Sequence, residues 1–151
     1  MKAVIQRCRH ASVQVEGETV GEIGQGLVIF LGVAAADDET CAARLTKKIA
    51  ALRIFDDSDG KFNFSLQDVA GAALVVSNFT LYGDARKGTR PNFSAAAGAE
   101  LANRLYESFA KLLIEQGISV QKGVFGAAMQ VQVFNDGPVT LILEATADLP
   151  S

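Results

Sequence analysis

The chain opens on a two-residue alternation. Val4, Gln6 and Cys8 fall on one face of an extended segment, and Ala3, Ile5 and Arg7 on the other, which predicts a strand over 3–15. Glu16-Gly17-Glu18 reads as a turn into a return strand over 19–23. Gly24-Gln25-Gly26 turns again into 27–33, whose unbroken apolar run predicts a strand buried on both faces. The period then changes. Asp37 and Asp38 are N-cap candidates for a helix reaching about residue 52, with Ala42, Leu45, Ile49 and Leu52 on its apolar stripe.

A short strand is expected over 53–55, a turn over 56–60 and a central strand over 74–77. The polar, basic stretch 83–94 contains Pro91 and reads as a loop. A second helix covers about 99–116, with Leu101, Leu105, Phe109, Leu112 and Leu113 inward and Gly117 as its stop. Strands over 128–134 and 139–145 close the chain, joined by a turn at Asn135-Asp136-Gly137-Pro138. Antiparallel strands with two inserted helices predict an α+β fold in one domain, 1–151.

Composition narrows the chemistry. The 14 basic and 17 acidic residues leave a formal charge of −3, so a nucleic-acid partner would need a local basic patch. One histidine, His10, and two cysteines make a Cys/His zinc site untenable, and any histidine-based nucleophile would have to pass through His10. Cys8 and Cys41 lack metal-ligand spacing and read as reduced thiols. The opening residues turn polar too soon for a secretory signal, and no apolar run is long enough to cross a bilayer; a cytoplasmic location is expected.

Several motifs fail on inspection. Gly83 to Thr89 has the glycine spacing of a phosphate loop, but Thr89 stands where lysine is required. Asp57, Asp59 and Gly60 resemble a calcium loop whose end positions would be Phe55 and Leu66, neither able to coordinate. Three Asn-Phe-Ser/Thr triplets match the glycosylation pattern without a secretory context to use it. No Gly-x-Ser-x-Gly elbow is present.

Two segments remain. Ser77-Asn78-Phe79-Thr80-Leu81 places hydroxyls and an amide around an aromatic ring at a strand end, where polar groups face a ligand while the strand stays packed. The same residues would also serve merely to terminate the strand. Asn135-Asp136-Gly137-Pro138-Val139-Thr140 reads as a polar turn with Pro138 opening an edge strand.

Taken together with their setting, these segments resemble the D-aminoacyl-tRNA deacylase family. The likeness extends to Met1 through Arg7, Ser12-Val13-x-Val15-x-Gly17, Gly24-x-Gly26-Leu27, Arg53-Ile54-Phe55, Arg90-Pro91-x-Phe93-Ser94 and Gly123-Val124-Phe125-Gly126-Ala127-Ala128-Met129. It covers essentially the whole chain. One position departs: the family's strand-end motif is Ser-Gln-x-x-Thr, and Asn78 stands in place of Gln. Its amide is one methylene shorter, so a contact made by Gln is lost or carried by water.

The resemblance implies a barrel-like sheet and a homodimer with active sites at the subunit interface, requiring no cofactor and no metal. It implies hydrolysis of the ester between a D-amino acid and the tRNA 3′ end, with some cleavage of glycyl-tRNA. Ser77, Phe79 and Thr80 would be catalytic, with Asn78, Phe125 and Met129 lining the substrate pocket. Gly137-Pro138, joined by a cis peptide, would reach in from the other subunit and reject L side chains. No base adjoins Thr80 in the motif to activate it as a nucleophile; the resemblance implies that the tRNA 2′-hydroxyl assists the attack of water instead. Lys47, Lys48, Arg86, Lys87 and Arg90 are the candidate phosphate contacts. The alternatives are a relative with altered specificity, a non-catalytic RNA- or amino-acid-binding module, and a structural oligomer.

Overall fold

A computed structural model describes residues 1–147; residues 148–151, the end of the expected domain, lie outside it. The opening alternation folds as β1 (Lys2–Val15), with Ala3, Ile5 and Arg7 buried along one face. Glu16 and Gly17, at φ of 50° and 80°, reverse the chain into β2 (Glu18–Ile23), which pairs with the second half of β1. β3 (Gly26–Gly32) pairs antiparallel with the first half, Ile5 opposite Ile29. Nearly all of β3 is buried, as its apolar run predicts.

α1 (Glu39–Ala51) begins where Asp38 accepts the N–H groups of Thr40 and Cys41. Asp37, the other cap candidate, instead takes the Met1 α-ammonium at 2.5 Å and the Ala34 N–H at 2.7 Å. The short strand expected over 53–55 is displaced to β4 (Phe55–Asp56), sharing only Phe55 with it, and pairs with β5 (Phe62–Phe64), an element the sequence pattern did not reveal. β6 (Ala72–Ser77) follows, then a single 3-10 turn over Phe79–Tyr82, α2 (Ala99–Glu115) and a second unforeseen strand, β7 (Ser119–Lys122).

The main sheet runs β2-β1-β3-β6-β7. Its β3–β6 and β6–β7 pairs are parallel, so the sheet is mixed where mainly antiparallel pairing was expected. The connections explain this: α1 lies between β3 and β6, and α2 between β6 and β7, supplying the long crossovers that parallel neighbours require. A core of Ile5, Ile29, Val75, Leu45, Ile49 and Phe109 fills the space between sheet and helices. A second cluster, with Val13, Val28 and Leu74, fills the inside of the curl. There β2 closes on β7 so tightly that a Cβ on Gly21 would sit 2.7 Å from the Lys122 carbonyl oxygen.

The closing hairpin does not exist. Residues 130–144 form one strand, β8 (Gln130–Glu144), antiparallel along almost all of β1. The predicted turn is a bulge within it: the register passes from Gln6 opposite Thr140 to Cys8 opposite Asn135. β1, at 14 residues, is long enough to pair with both halves, so polar turn chemistry interrupts the ladder without reversing the chain.

Candidate active site

Ser77 ends β6 opposite Leu31, and the next N–H, that of Asn78, still donates to the Leu31 carbonyl at 2.8 Å. The chain then coils into the 3-10 turn, closed by Gly83 N–H on the Thr80 carbonyl at 2.9 Å. The first N–H groups of such a turn have no partner within it. Thr80 Oγ1 donates to Asn78 Oδ1, so the shorter amide folds back onto the hydroxyl two residues on.

This strand end opens onto a cavity of about 390 Å³. Ser77, Asn78, Phe79 and Thr80 form one side; Phe125 and Met129, from the β7–β8 connection, form another. Ala97, Ala99 and Ala102, at the start of α2, complete it with small apolar surfaces. The Ala97 N–H donates to the Val33 carbonyl at 2.9 Å, tying that wall to the end of β3. None of the described lining residues is ionisable. His10 is not part of the cavity lining and is exposed, its Nε2 2.6 Å from Glu22 Oε1. No group of three or more His, Cys, Asp or Glu side chains is placed to hold a metal among the described residues.

Two buried polar residues that the sequence reading passed over hold these segments in place. Tyr106 is buried, and its hydroxyl reaches the Val75 carbonyl at 3.1 Å and the Gly123 carbonyl at 3.4 Å, with its ring 6.0 Å from that of Phe125. Burial pushes its phenol up from the ordinary range and keeps it a neutral donor. A tyrosine beside the inward stripe of α2 was the available signal, since a buried hydroxyl needs a partner. Arg7 is the second. It continues the buried face of Ala3 and Ile5, and a charge on a core-facing position demands compensation. Its Nε donates to the Asp136 carbonyl at 2.9 Å and its Nη1 to the Ile54 carbonyl at 2.8 Å.

Arg7 thereby holds the bulge that carries Gly137-Pro138. That peptide is cis, and Gly137 has φ of 136°. Both residues are exposed, and neither lines the cavity of its own chain. The basic candidates divide: Lys47 and Lys48 lie on the solvent face of α1, whereas Arg86, Lys87 and Arg90 share the exposed 83–94 loop. Arg86 is already paired with Asp84.

A family model described as D-Tyr-tRNA(Tyr) deacylase matches residues 4–144. The chain belongs to that family. Its relatives include a protein of Chloroflexus aurantiacus named D-aminoacyl-tRNA deacylase, 59% identical over 96% of this chain and 91% of that one. One of the same name from Thermus aquaticus is 57% identical over 97% and 96%. Among solved structures, a c-Myc DNA Unwinding Element Binding Protein superposes with a TM-score of 0.91 at 40% identity, covering 97% of this chain and all of that one. A probable eukaryotic D-amino acid tRNA deacylase, at 16% identity and a TM-score of 0.82 over 95% and 98%, shares the fold. The family fold thus brings the strand-end motif and the β7–β8 connection around one cavity.

Proposed function

We propose that this protein is an ester hydrolase that releases D-amino acids, and glycine, from the 3′ end of tRNA. The observation that carries the reading is the uncharged cavity at the end of β6, lined by Ser77 through Thr80, in a chain that belongs to the deacylase family. With no ionisable side chain in its lining, the cavity contributes position and hydrogen bonds in place of a protein base. The terminal ribose 2′-hydroxyl then assists the attack of water, and the N–H groups of Phe79 and Thr80 receive the developing oxyanion.

Chirality is read by Gly137 and Pro138 of the partner subunit in a homodimer. Their carbonyl oxygens accept the substrate ammonium, which fixes the alpha carbon against backbone. An L side chain then collides, a D side chain points outward, and glycine has nothing to collide. The exposure of Gly137 and Pro138, away from their own cavity, supports an action in trans. So does the outer face of β8, where Phe134 and Ile142 are each 68% exposed and available to a second copy. Tight contact at Gly137 leaves little latitude: a Cβ there would lie 2.7 Å from the Val139 nitrogen. The exposure of Lys47, Lys48, Lys87 and Arg90 supports phosphate contacts by these residues, with Arg86 partly neutralised by Asp84.

The test is a paired time course on D-tyrosyl-tRNA and L-tyrosyl-tRNA with a chelator present, for the wild type and Thr80→Ala. Rapid loss of only the D ester, largely retained in Thr80→Ala, is expected. Loss of neither ester refutes the function, and loss of both refutes the chiral filter. Abolition by Thr80→Ala in a single turnover points to a covalent threonine and overturns 2′-hydroxyl assistance.

A further inference from the structure

We infer that Phe79 and Phe93 form a stacking step for an unpaired RNA base, the one preceding the nucleoside that bears the ester. The inference rests on the proposed function and adds a nucleotide subsite to it. Phe79 lines the cavity yet is 56% exposed, and Phe93 beside it is 37% exposed. Their rings meet edge to face, with centroids 5.2 Å apart and planes inclined at 72°. Apolar rings normally lose such exposure to the core, and two held side by side at a cavity mouth present π surface to a ligand.

The step is rigidly built. Asp84 and Asn92 exchange backbone hydrogen bonds at 2.8 Å each, and the Ser94 N–H donates to Asn92 Oδ1 at 2.8 Å, so the segment carrying Phe93 is pinned at its base. A Cβ on Gly83 would lie 2.9 Å from the Phe93 ring, so a glycine there gives the ring its place. The same loop carries the cations. Arg86 is committed to Asp84, Nε to Oδ1 at 2.9 Å and Nη2 to Oδ2 at 2.6 Å, which holds the Asp84 carboxyl below its ordinary value. Lys87 and Arg90 are exposed and make no ion pair among the described residues. The cavity is thus uncharged, with an aromatic step beside it and unpaired cations on the loop that carries Phe93. A single-stranded RNA end carries the complementary groups: an esterified nucleoside, a preceding base and phosphates. Stacking on a ring face tolerates any base, so the step contributes affinity without selecting sequence.

The experiment compares D-tyrosyl-tRNA with D-tyrosyl-adenosine, which lacks the preceding nucleotide. Phe93→Ala is expected to raise KM for the tRNA about 5- to 150-fold, the range for one stacked base, with kcat unchanged. Hydrolysis of D-tyrosyl-adenosine is expected to stay at the wild-type level, and Phe93→Trp to recover the tRNA KM. An equal loss on both substrates overturns the inference, because Phe93 then only braces Phe79. An unaltered tRNA KM overturns it, as does a Phe93→Ala protein that no longer elutes with the wild-type oligomer. If the wild type hydrolyses neither ester, the proposed function fails. The step is then judged by anisotropy of a labelled single-stranded RNA ending in adenosine, whose binding Phe93→Ala must weaken if the inference stands and leave unchanged if it falls.

Discussion

Replacing Arg7 with methionine keeps most of the stem's packing volume and deletes the guanidinium. Arg7 is 5% exposed and spans three segments. Besides its bonds to the Asp136 and Ile54 carbonyls, Nη1 lies 3.3 Å from Asp56 Oδ1, Nε lies 3.6 Å from Asp136 Oδ2, and the guanidinium lies over Phe62 at 5.6 Å from the ring centroid. Losing a donor to each carbonyl costs about 1–3 kcal/mol apiece. The carboxylates add roughly 0–1 kcal/mol, because both keep contact with water and Arg9 remains 3.5 Å from Asp136. The sum, about 2–7 kcal/mol, is centred on the roughly 3–5 kcal/mol for removing one partner of a buried pair. At about 2–4 °C per kcal/mol for a domain of this size, melting falls by roughly 10 °C. Thermal unfolding followed by circular dichroism reads that loss directly. The function is measured below the new transition, where kcat/KM on D-tyrosyl-tRNA is expected to drop about 100-fold, since Gly137 and Pro138 lose their anchor. Arg7→Lys should fall between, keeping the charge but not the fork that reaches two carbonyls. An Arg7→Met protein with unchanged melting and unchanged kcat/KM refutes the reasoning.

Two further perturbations probe the scaffold. Gly26→Ala puts a Cβ 1.8 Å from the Ala72 carbonyl oxygen, where β3 and β6 run together; a loss above about 4 kcal/mol is expected, seen as failure to accumulate soluble protein. Gly24→Ala, with nothing within 4 Å of its added carbon, is the control that should melt like the wild type. Cys8 is pushed from 9.0 to about 11, chiefly by burial and further by the Asp136 carboxylate, against a lowering contact from the Gly26 backbone. The folded thiol holds its proton while the unfolded one releases it, so stability falls as pH rises from 9.0 towards about 11, by about 2–3 kcal/mol in all. Urea midpoints on either side of that window should separate in the wild type by more than in Cys8→Ala. Equal separations would show that Cys8 does not contribute.

Much of the architecture was readable because its causes are local. The alternation of β1, the apolar run of β3 and the 3.6-residue stripes of α1 and α2 each report one face against one core. The strand-end motif was readable for the same reason, as a polar cluster directly after a buried run. β5 and β7 escaped because three- and four-residue strands carry too few positions to establish a period. The false hairpin has a different cause. Asn-Asp-Gly-Pro is turn chemistry, and whether it reverses a chain or bulges depends on what pairs with its flanks.

The sequence by itself determined both helices and the longer strands of the first half, their buried faces, the family and the segments that gather at the site. Tertiary structure decided the rest, because the deciding partners lie far along the chain. β8 is one strand because β1, more than a hundred residues earlier, offers a single long edge to both its halves. The cavity exists only where the ends of β3 and β6, the first turn of α2 and the β7–β8 connection converge. Arg7 and Tyr106 likewise acquire their roles from carbonyls on distant strands and connections, which burial leaves them no water to replace.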